Sequence, residues 1–550
     1  MKLSLITFSA LLPSAFALWP LPTGLSTGTT PLRLSKGFDI KIAIPNPPAD
    51  LVAAVSRAKG FLANDKLQVL VVDRGASSAG AIANAKSLPS LTLSLAATPK
   101  GGSVKSISAE AVAPIESRVE GYTLTVPADG SGAVLKANST LGLFRGLTTF
   151  GQLWYDWEGT TYSLSAPIQI SDSPAYPYRG FMLDTARNFF PVSDIKRTID
   201  AMSWVKINTL HWHVVDSQSF PLVIPGYTAL SQKGAYSASS VYTPSDVKDI
   251  VTYAAARGID VIPEIDTPGH TSVISKAFPE HIACAEAKPW ASFANEPPAG
   301  QLRLASEATV NFTAGMLKAA AGLFQSQFFS TGGDEINAKR LFVCGSCYTQ
   351  DNETQASLSS SGKTLTTLLC DLLEKAPSSG EEMVLDNPVK LANDTIVMVW
   401  ISSADVQAVA NTGFRIVHSA SDYFYLDCGH GGWVGDFPAG NSWCDPFKTW
   451  QHAFVFDPVA NLTAEQSERV LGGQSLLWTE QSGPENLDST TWPRAASTAE
   501  LFWTGPGGDV QAALPRLHEE VYRFRQRGVA ANSLQPEWCA LRPGACDLTA

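Results

Sequence analysis

The chain has 550 residues, of which 45% are hydrophobic, and its formal net charge is -11 at pH 7. This length exceeds that of one ordinary domain, so we expect a large core domain and a smaller one. The negative charge argues against a nucleic-acid partner, because phosphates would be repelled, and no basic run suggests binding to a membrane surface.

The first 17 residues have the pattern of a secretory signal peptide. Lys2 supplies a positive start, residues 3–16 are apolar but too short to span a bilayer, and alanines stand at positions 15 and 17. We therefore expect a mature chain that starts at Leu18. Since no later run is long and apolar enough for a transmembrane helix, the sequence predicts a secreted, soluble protein.

The cysteines and sequons agree with secretion. Eight cysteines, an even number, are typical of disulfides in an oxidising compartment. The pair at 344 and 347 resembles half of a zinc site, but nothing completes it, so we predict no metal or cofactor. Cys539 and Cys546 close a short loop, and Cys428 and Cys444 bracket a Gly-rich loop. Five sequons are candidate glycosylation sites: Asn138, Asn311, Asn352, Asn393 and Asn461.

Residues 18–172 have the pattern of a smaller α+β domain. Strand-like stretches occur at 38–44, 67–72 and 122–126, and the apolar residues of 141–153 have helical spacing. This part gathers no residue types that would suggest catalysis.

Residues 173–550 alternate short apolar runs with amphipathic helical stretches, and each run stops at polar or aromatic side chains. This repeat predicts a (β/α)8 TIM barrel, whose active site lies at the carboxyl ends of the strands. The runs, of which seven make good strands, are 180–183 before Asp184, 209–215 before Asp216, 259–263 before Glu264, 323–330 before Asp334 and Glu335, 395–399 before Trp400, 415–418 before Tyr425 and Asp427, and 472–477 before Trp478 and Glu480.

Acids and aromatic rings at strand ends suit a carbohydrate ligand, because sugar faces stack on tryptophan and hydroxyls bond to carboxylates. Asp334 and Glu335 follow two glycines that let the backbone turn sharply. Two adjacent carboxylates repel each other, which is costly unless chemistry uses it. A glycosidase needs two carboxyl groups with different roles at one sugar ring.

Each of these residues also has a plainer interpretation, although together the plainer interpretations do not explain why every run ends this way. Asp334 and Glu335 could cap the start of a helix, and Trp400 and Trp478 could be ordinary core residues. One of His211 and His213 could be a hydrogen-bonded core histidine. Asp184 could form a surface ion pair with Arg187, and Asp216 could be a turn residue.

At these positions the sequence resembles the family 20 β-N-acetylhexosaminidases, most closely the secreted fungal enzymes. The similarity starts at LWPLP (18–22) and extends almost to the C-terminus. Its motifs are PYRGFMLDTAR at 177–187, HWHVVDSQSFP at 211–221, EIDTPGH at 264–270, GGDE at 332–335 and WPR at 492–494. The resemblance implies exo-acting hydrolysis of terminal, non-reducing β-linked GlcNAc or GalNAc, as in chitooligosaccharides. The configuration is retained, and the nucleophile is the substrate's own 2-acetamido oxygen.

The resemblance also implies residue roles. Glu335 would be the general acid and then the base, and Asp334 would orient the acetamido group and stabilise the oxazolinium ion. Tyr425 would hydrogen-bond the acetamido carbonyl. Trp400 and Trp478 would form walls of the acetamido pocket. Arg179 and Glu480 would bind outer hydroxyls, with Asp427 near the 6-position. Asp216 and His270 would support Glu335.

Two further implications of the resemblance are a Cys284–Cys347 disulfide and a homodimer. Cys344 and Cys370 are then left over, and their pairing stays open.

The sequence departs from the family pattern before Glu381. The family has a strand there that ends in tryptophan, which forms one wall of the acetamido pocket. Here residues 368–376 have a helical pattern and 377–380 predict a turn, so the fifth barrel strand is missing or badly shortened. A closed barrel cannot easily lose a strand, because its neighbours would have unpaired backbone groups. Either residues 383–385 substitute poorly, or the sequence is misassigned at a splice junction; we favour the second.

Two other functions compete with the active exo-hexosaminidase. One is an inactive or weakened sugar-binding relative, which the missing strand and tryptophan favour. The other is a barrel glycosidase that uses two protein carboxylates. A stable thiazoline-type inhibitor would separate it, because only acetamido-assisted enzymes should bind one tightly.

Overall fold

The computed structural model describes residues 17–65, 67, 70–97, 104–335, 347, 351–354, 378–386, 391–435 and 437–550. Within these ranges no helix is long and apolar enough to cross a membrane. Cys344 and Cys370 lie outside them.

The N-terminal region is a six-stranded mixed sheet with helices packed on it. The strand order is β1-β2-β4-β3-β6-β5, and the long first strand pairs with both β2 and β6. The strands are β1 (Gly24–Ile42), β2 (Lys86–Leu95), β3 (Tyr122–Val126), β4 (Ala133–Ala137), β5 (Tyr155–Trp157) and β6 (Thr160–Asp172). The helices are α1 (Ala49–Asn64), α2 (Ala79–Ala83), α3 (Ile107–Ala111) and α4 (Thr140–Gly151).

Three of the four elements predicted here are present, as parts of β1, β3 and α4. The predicted strand at 67–72 is wrong, because Leu67 and residues 70–72 lie in a helical turn and bends. Leu67 and Leu70 are buried, and an apolar run can be buried in a turn as well as in a strand. Val72 donates its backbone N–H to Leu541 instead of to a strand neighbour (3.0 Å).

The second region is a ring of parallel strands, which confirms the predicted barrel. Seven strands pair in the order β12-β13-β14-β15-β7-β8-β9. They are β7 (Tyr178–Asp184), β8 (Thr209–Val215), β9 (Asp260–Ile265), β12 (Ser378–Gly380), β13 (Ile396–Val399), β14 (Arg415–His418) and β15 (Val470–Leu477). Two short strands, β10 (Ile282–Ala283) and β11 (Gln301–Leu302), form a separate ribbon.

Residues 330–332 close the ring between β9 and β12. Ser330 exchanges backbone hydrogen bonds with Pro263 (2.9 Å) and Ile265 (3.2 Å), and Gly380 donates to the carbonyl of Gly332 (2.7 Å). The run predicted as the fourth strand therefore contributes only its end to the barrel.

The fifth strand is badly shortened, as predicted, but its position differs from the prediction. Ser378 to Gly380 pair in parallel with Ile396 to Met398, so the expected turn at 377–380 is wrong for these three residues. Residues 383–385 lie in a helix and do not replace the strand. Ring closure satisfies backbone groups of the neighbouring strands, which explains why a Ser-Ser-Gly sequence is extended here. The predicted helix at 368–376 lies outside the described residues.

Helices surround the barrel and bury its outer face. They are α5 (Val192–Trp204), α6 (Ala229–Gly234), α7 (Pro244–Ala255), α8 (Glu307–Ala321), α9 (Glu382–Leu385), α10 (Val406–Thr412), α11 (Ser421–Phe424), α12 (Trp450–Phe454), α13 (Ala464–Ser467), α14 (Leu487–Thr491), α15 (Arg494–Thr504), α16 (Val510–Gln526) and α17 (Glu537–Ala540).

Helix α7 shows how the sequence sets these elements. Thr243 caps its start in a reciprocal capping box with Asp246, and Pro244 occupies the first turn. Val247, Ile250, Val251 and Ala254 follow at helical spacing and are buried. The helix therefore packs one apolar face on the barrel.

Within the described ranges, three disulfides fasten loops outside the strands: Cys284–Cys347, Cys428–Cys444 and Cys539–Cys546. Since Cys347 is bonded to Cys284, it is not available as a zinc ligand. All five sequon asparagines are exposed.

Candidate active site

A pocket of about 80 Å³ opens at the carboxyl ends of the barrel strands. It brings together eight of the predicted site residues, namely His270, Asp334, Glu335, Trp400, Tyr425, Asp427, Trp478 and Glu480. Arg187, Glu296, Trp433 and Trp443 line it as well.

Glu335 lies at the end of a chain of hydrogen-bonding groups. Its Oε2 is 3.3 Å from Nε2 of His270, and Nδ1 of His270 is 3.1 Å from Oδ1 of Asp216. Asp216 is fully buried, whereas 28% of the Glu335 side chain is exposed. Asp216 and His270 thus lie where they support Glu335.

The charges along this chain are set by burial and by neighbours. Burial opposes the charged form of His270, but the carboxylates of Asp216 and Asp266 outweigh it and raise its pKa well above the ordinary value. Burial raises the pKa of Glu335, although the charge on His270 partly offsets it. Glu335 is therefore suited to carry a proton, as a general acid must.

The backbone of Glu335 is held in an uncommon conformation. Its φ is 54°, in the left-handed region that non-glycine residues seldom adopt. Glu382 accepts its backbone N–H (2.7 Å), and Gln301 donates to its carbonyl (3.1 Å). These two contacts aim the carboxyl group into the pocket, and sequence reasoning missed both.

Asp334 lies beside a second carboxyl group, Asp266. Carboxyl oxygens of both residues and a ring nitrogen of His270 lie within 4.8 Å of one another. Burial and the neighbouring Asp334 raise the pKa of Asp266 well above its usual value. Asp266 also accepts the N–H of Gly333 (2.9 Å), and a Cβ on Gly332 would overlap Asp266. The glycine pair therefore lets Asp334 approach Asp266 closely.

Among the residues that the structure describes, Arg187 lines the pocket, whereas the predicted Arg179 does not. Arg187 contacts Asp216 (2.9 Å) and Glu296, and it lies over the ring of Trp478 (5.1 Å to the centroid). Burial opposes its charge, but Asp216 and Glu296 raise its pKa well above the ordinary value. The alternative of a surface ion pair with Asp184 is also wrong, because both side chains are buried.

The prediction that Arg179 binds substrate is wrong. Arg179 begins β7, and its guanidinium contacts Glu120 (2.6 Å) and the carbonyls of Lys206 (3.0 Å) and Tyr176 (2.8 Å). The strand runs from this end towards the pocket, so its first residues lie at the end of the barrel that is far from the pocket. Only the residues at its carboxyl end reach the site.

Aromatic rings form the other side of the pocket. Tyr425 lies 6.2 Å from Trp478 and 5.9 Å from Trp443, and Trp400 lies 5.9 Å from Trp443 between ring centroids. Tyr425 is 2% exposed, and burial raises its pKa well above the ordinary value, so its hydroxyl stays neutral. These rings can enclose an apolar group while the hydroxyl offers a hydrogen bond.

Two more acids face this cavity. Burial raises the pKa of Glu480 to about 8 and that of Asp427 to about 7. Asp427 accepts the backbone N–H of Trp478 (3.4 Å). Carboxyl groups that are neutral near pH 7 can donate as well as accept, which suits recognition of sugar hydroxyls.

Two histidines in the barrel core, His211 and His213, share one carboxylate partner. His211 and His213 both contact Glu264, at 2.9 and 2.5 Å. His213 also contacts Asp216 (2.7 Å), which links the barrel centre to the pocket. The core interpretation of these histidines therefore applies to both.

A second cluster of acids around His270 also has the spacing of metal ligands. Atoms of Asp216, His270 and Glu296 lie within 4.8 Å of one another. Arg187 contacts Asp216 and Glu296, so its guanidinium supplies the positive charge that a cation would bring.

Known proteins are similar to this chain in sequence and in architecture. The catalytic domain of glycosyl hydrolase family 20 matches residues 176–506, and a β-acetyl hexosaminidase-like domain matches residues 18–153. The chain is 33% identical over 566 residues to a chitooligosaccharidolytic β-N-acetylglucosaminidase of Ostrinia furnacalis, covering 96% of this chain and 89% of the relative. The chain belongs to glycosyl hydrolase family 20. A β-hexosaminidase of Arthroderma benhamiae is 35% identical, covering 78% of this chain and 74% of the relative.

Solved family 20 structures have the same fold. The exo-β-N-acetylglucosaminidase of Vibrio harveyi matches with a TM-score of 0.72 at 24% identity, covering 95% of this chain and 79% of that chain. Together with the family assignment, this confirms the predicted barrel and the class of glycoside hydrolase.

Sequence reasoning about this family 20 enzyme missed several residues that line the pocket or lie against its acids. Glu296 lies in a Pro-rich loop with no strand before it, so no periodic signal marks it. Arg187 and Asp266 stand inside the family motifs, which were the available signal. Trp443 lies in the loop that Cys428 and Cys444 close, and its adjacency to a cysteine gave no hint of the pocket.

Proposed function

We propose that this enzyme removes terminal β-linked GlcNAc or GalNAc from oligosaccharides by retaining, substrate-assisted hydrolysis. One observation carries the proposal. Asp334 lines both the outer pocket and a smaller cavity beneath it, whereas Glu335 lines only the outer pocket. The adjacent acids therefore serve two different places, one at the leaving group and one at the 2-substituent.

The proposed reaction starts with a proton on Glu335. Glu335 donates it to the glycosidic oxygen as that oxygen leaves C1, and the acetamido oxygen forms the new bond to C1. Asp334 accepts the acetamido N–H and stabilises the positive oxazolinium ion. Glu335, now ionised, takes a proton from the water that opens the ring at C1. Both carboxyl groups return to their starting states.

The other pocket residues position the sugar. Trp400 and Trp478 enclose the acetamido group, and Tyr425 donates its hydroxyl to the acetamido carbonyl. Arg187 and Glu480 bind outer hydroxyls, with Asp427 near the 6-position. Arg187 replaces Arg179 in this scheme, because Arg187 lines the pocket.

Chitooligosaccharides are the proposed natural substrates. Two relatives, from Bombyx mori and Ostrinia furnacalis, are named chitooligosaccharidolytic β-N-acetylglucosaminidases, and this chain is 36% and 33% identical to them. The decisive experiment is hydrolysis of an aryl β-GlcNAc by the secreted protein, followed by NMR of the first-formed anomer. Turnover with a β-anomer supports the proposal, whereas no turnover or an α-anomer contradicts it.

A sugar-binding protein with weak turnover is a second candidate. The observation that favours it is Gly380, which leaves the acetamido cavity without a side chain at the position that precedes Glu381. A thiazoline analogue of the oxazolinium ion separates the candidates and also excludes a two-carboxylate glycosidase. Tight binding together with turnover identifies the substrate-assisted enzyme, and binding without turnover identifies the weakened relative.

We further propose that residues 1–17 are a signal peptide, that residues 18–172 and 173–550 are two domains, and that the protein is secreted as a glycosylated homodimer. Exposed sequons and three disulfides support secretion. Mass spectrometry of the secreted protein tests the start at Leu18, and sedimentation tests the dimer.

A further inference from the structure

A cavity of about 40 Å³ continues from the floor of the pocket into the barrel. It shares Asp334, Trp400, Tyr425 and Trp478 with the outer pocket. A volume above roughly 10–15 Å³ is enough to hold a water molecule. This is the cavity assigned above to the 2-acetamido group, so its walls set the length of the acyl chain that can bind there.

Gly380 leaves this space open. It ends β12 and is buried in the cavity lining. A Cβ at this position would meet Nε1 of Trp400 at 3.5 Å, the carbonyl of Gly332 at 3.6 Å and Cδ1 of Trp400 at 3.7 Å, all ordinary van der Waals distances. No positive φ requires a glycine here. The space is thus a property of the side chain that is missing, not of the backbone.

The cavity can accept either an apolar or a polar end group. Met182, Met398 and Leu476 supply apolar surface. The indole N–H of Trp400 is buried and has no hydrogen-bond partner among the described residues. A buried donor without a partner is costly, so an acceptor at the end of a longer acyl chain would stabilise it.

We propose that Gly380 determines which N-acyl groups the enzyme accepts, and that it admits β-glucosaminides whose acyl chain is longer than acetyl, such as N-propionyl and N-glycolyl. This inference rests on the proposed function and names the substrate class of the same site. The bond changes are those of the acetyl substrate: the acyl oxygen bonds to C1 as the glycosidic bond breaks, and water restores the acyl group.

The test compares aryl β-glucosaminides that differ only in the acyl group. For the wild-type enzyme we expect kcat/KM for the N-propionyl and N-glycolyl substrates to stay within about tenfold of the N-acetyl value, because a pocket without free space would discriminate by about 10–200-fold per methylene. A larger loss in the wild-type enzyme overturns the inference. If the N-acetyl substrate itself is not hydrolysed, the proposed function fails instead.

Filling the cavity should reverse the preference. Gly380→Ala and the larger Gly380→Val should lower the propionyl-to-acetyl ratio stepwise, by about tenfold for valine, as overpacking does in closed sites. Gly60→Ala is the matched control, because a Cβ on Gly60 meets nothing within 4 Å, and its ratio should equal that of the wild type. An unchanged ratio in a folded Gly380→Val enzyme overturns the inference.

A measurement without variants keeps the inference testable if the filled variants do not fold. N-propionyl-glucosamine should inhibit the wild-type enzyme about as strongly as N-acetylglucosamine. Inhibition that is more than tenfold weaker contradicts the inference, since a closed cavity would reject the extra methylene by about that factor.

Discussion

The two ends of the barrel both contain buried arginines and carboxylates, but their charges are balanced differently. At the end where the strands begin, Glu120 lies between Arg145 (2.8 Å) and Arg179 (2.6 Å). Burial opposes its charge, but the two arginines lower its pKa to about 2. Asp172 is paired with Lys206 (3.0 Å), which likewise lowers its pKa against the effect of burial. Glu120 and Asp172 therefore stay ionised.

At the end where the strands stop, acids outnumber the positive charges that face them among the residues that the structure describes. Arg187 holds Asp216 and Glu296, and the pKa of Glu296 is lowered to about 2 by Arg187 despite burial. Glu335 and Glu480 have raised pKa values because of burial, and Glu480 titrates near pH 8.

The difference separates stability from chemistry. Buried acids that are paired with arginine or lysine fix the position of one region on another, whereas acids without such a partner keep protons that a reaction can use. Arg179 and Arg187 lie at opposite ends of β7 and illustrate both cases.

At the end of the barrel where the strands stop, replacing the proton donor should have the largest effect on catalysis. Glu335→Gln removes the proton donor and should abolish cleavage of an aryl β-GlcNAc, with kcat lower by about 10²–10⁴-fold. Steady-state kinetics, with thermal unfolding as a check on the fold, measure the loss. Near-normal turnover would remove Glu335 from the mechanism.

Asp334→Asn tests the second unmatched acid. The amide cannot stabilise the positive intermediate, so kcat should fall by about 10²–10³-fold. Gly60→Ala serves as a control for expression and folding. If the variant keeps wild-type kcat, the assignment of Asp334 to the 2-substituent is wrong.

Glu120 should determine the acid stability of the opposite end. Its folded pKa of about 2 lies below its ordinary value of about 4.5, so its stabilisation is present above pH 4.5 and is lost between pH 4.5 and 2. This contribution is roughly 3 kcal/mol. Unfolding of Glu120→Gln should be less sensitive to pH across that range. The same pH dependence in variant and wild type would contradict the charge balance described here.

Arg179 in β7 and Arg187 in the loop after it provide a direct test of the comparison. Arg187→Lys should raise KM about tenfold or more, because lysine cannot reproduce the fork of contacts. Arg179→Lys should leave KM unchanged and reduce the free energy of unfolding by about 1–3 kcal/mol. A change in KM from Arg179→Lys would mean that the end of the barrel where the strands begin takes part in substrate binding.

His270→Asn should have the smallest effect, a shift in pH profile. The charge on His270 lowers the pKa of Glu335, so its removal leaves burial to raise that pKa further. The basic limb of kcat/KM should therefore move to higher pH. A shift to lower pH would contradict the proposed proton on Glu335.

The sequence placed most barrel strands to within a few residues. Strands at 209–215 and 415–418 match their predicted bounds, because buried parallel strands are continuous apolar runs. Trp478 and Glu480 directly follow a predicted strand, whereas the roles expected of Tyr425 and Asp427, which follow a short helix, came from the family resemblance.

The sequence-based predictions were wrong at positions where the local residue pattern suggests one role and the place of the residue in the fold imposes another. Arg179 stands in a family motif, yet it begins its strand and binds Glu120 from the other region. Residues 378–380 carry turn-forming residue types but complete the ring. In both cases a contact with a residue distant in sequence decided the outcome.

The sequence by itself determined the family, the barrel and the adjacent acids Asp334 and Glu335, because these follow from apolar periodicity and from continuous motifs. Only the tertiary structure decided which arginine faces the sugar, that Glu296, Glu382 and Asp266 surround the two acids, and that Gly380 leaves a cavity beside Trp400. Proton placement and free space depend on which groups meet across the barrel. Folding sets those contacts, and spacing along the chain does not record them.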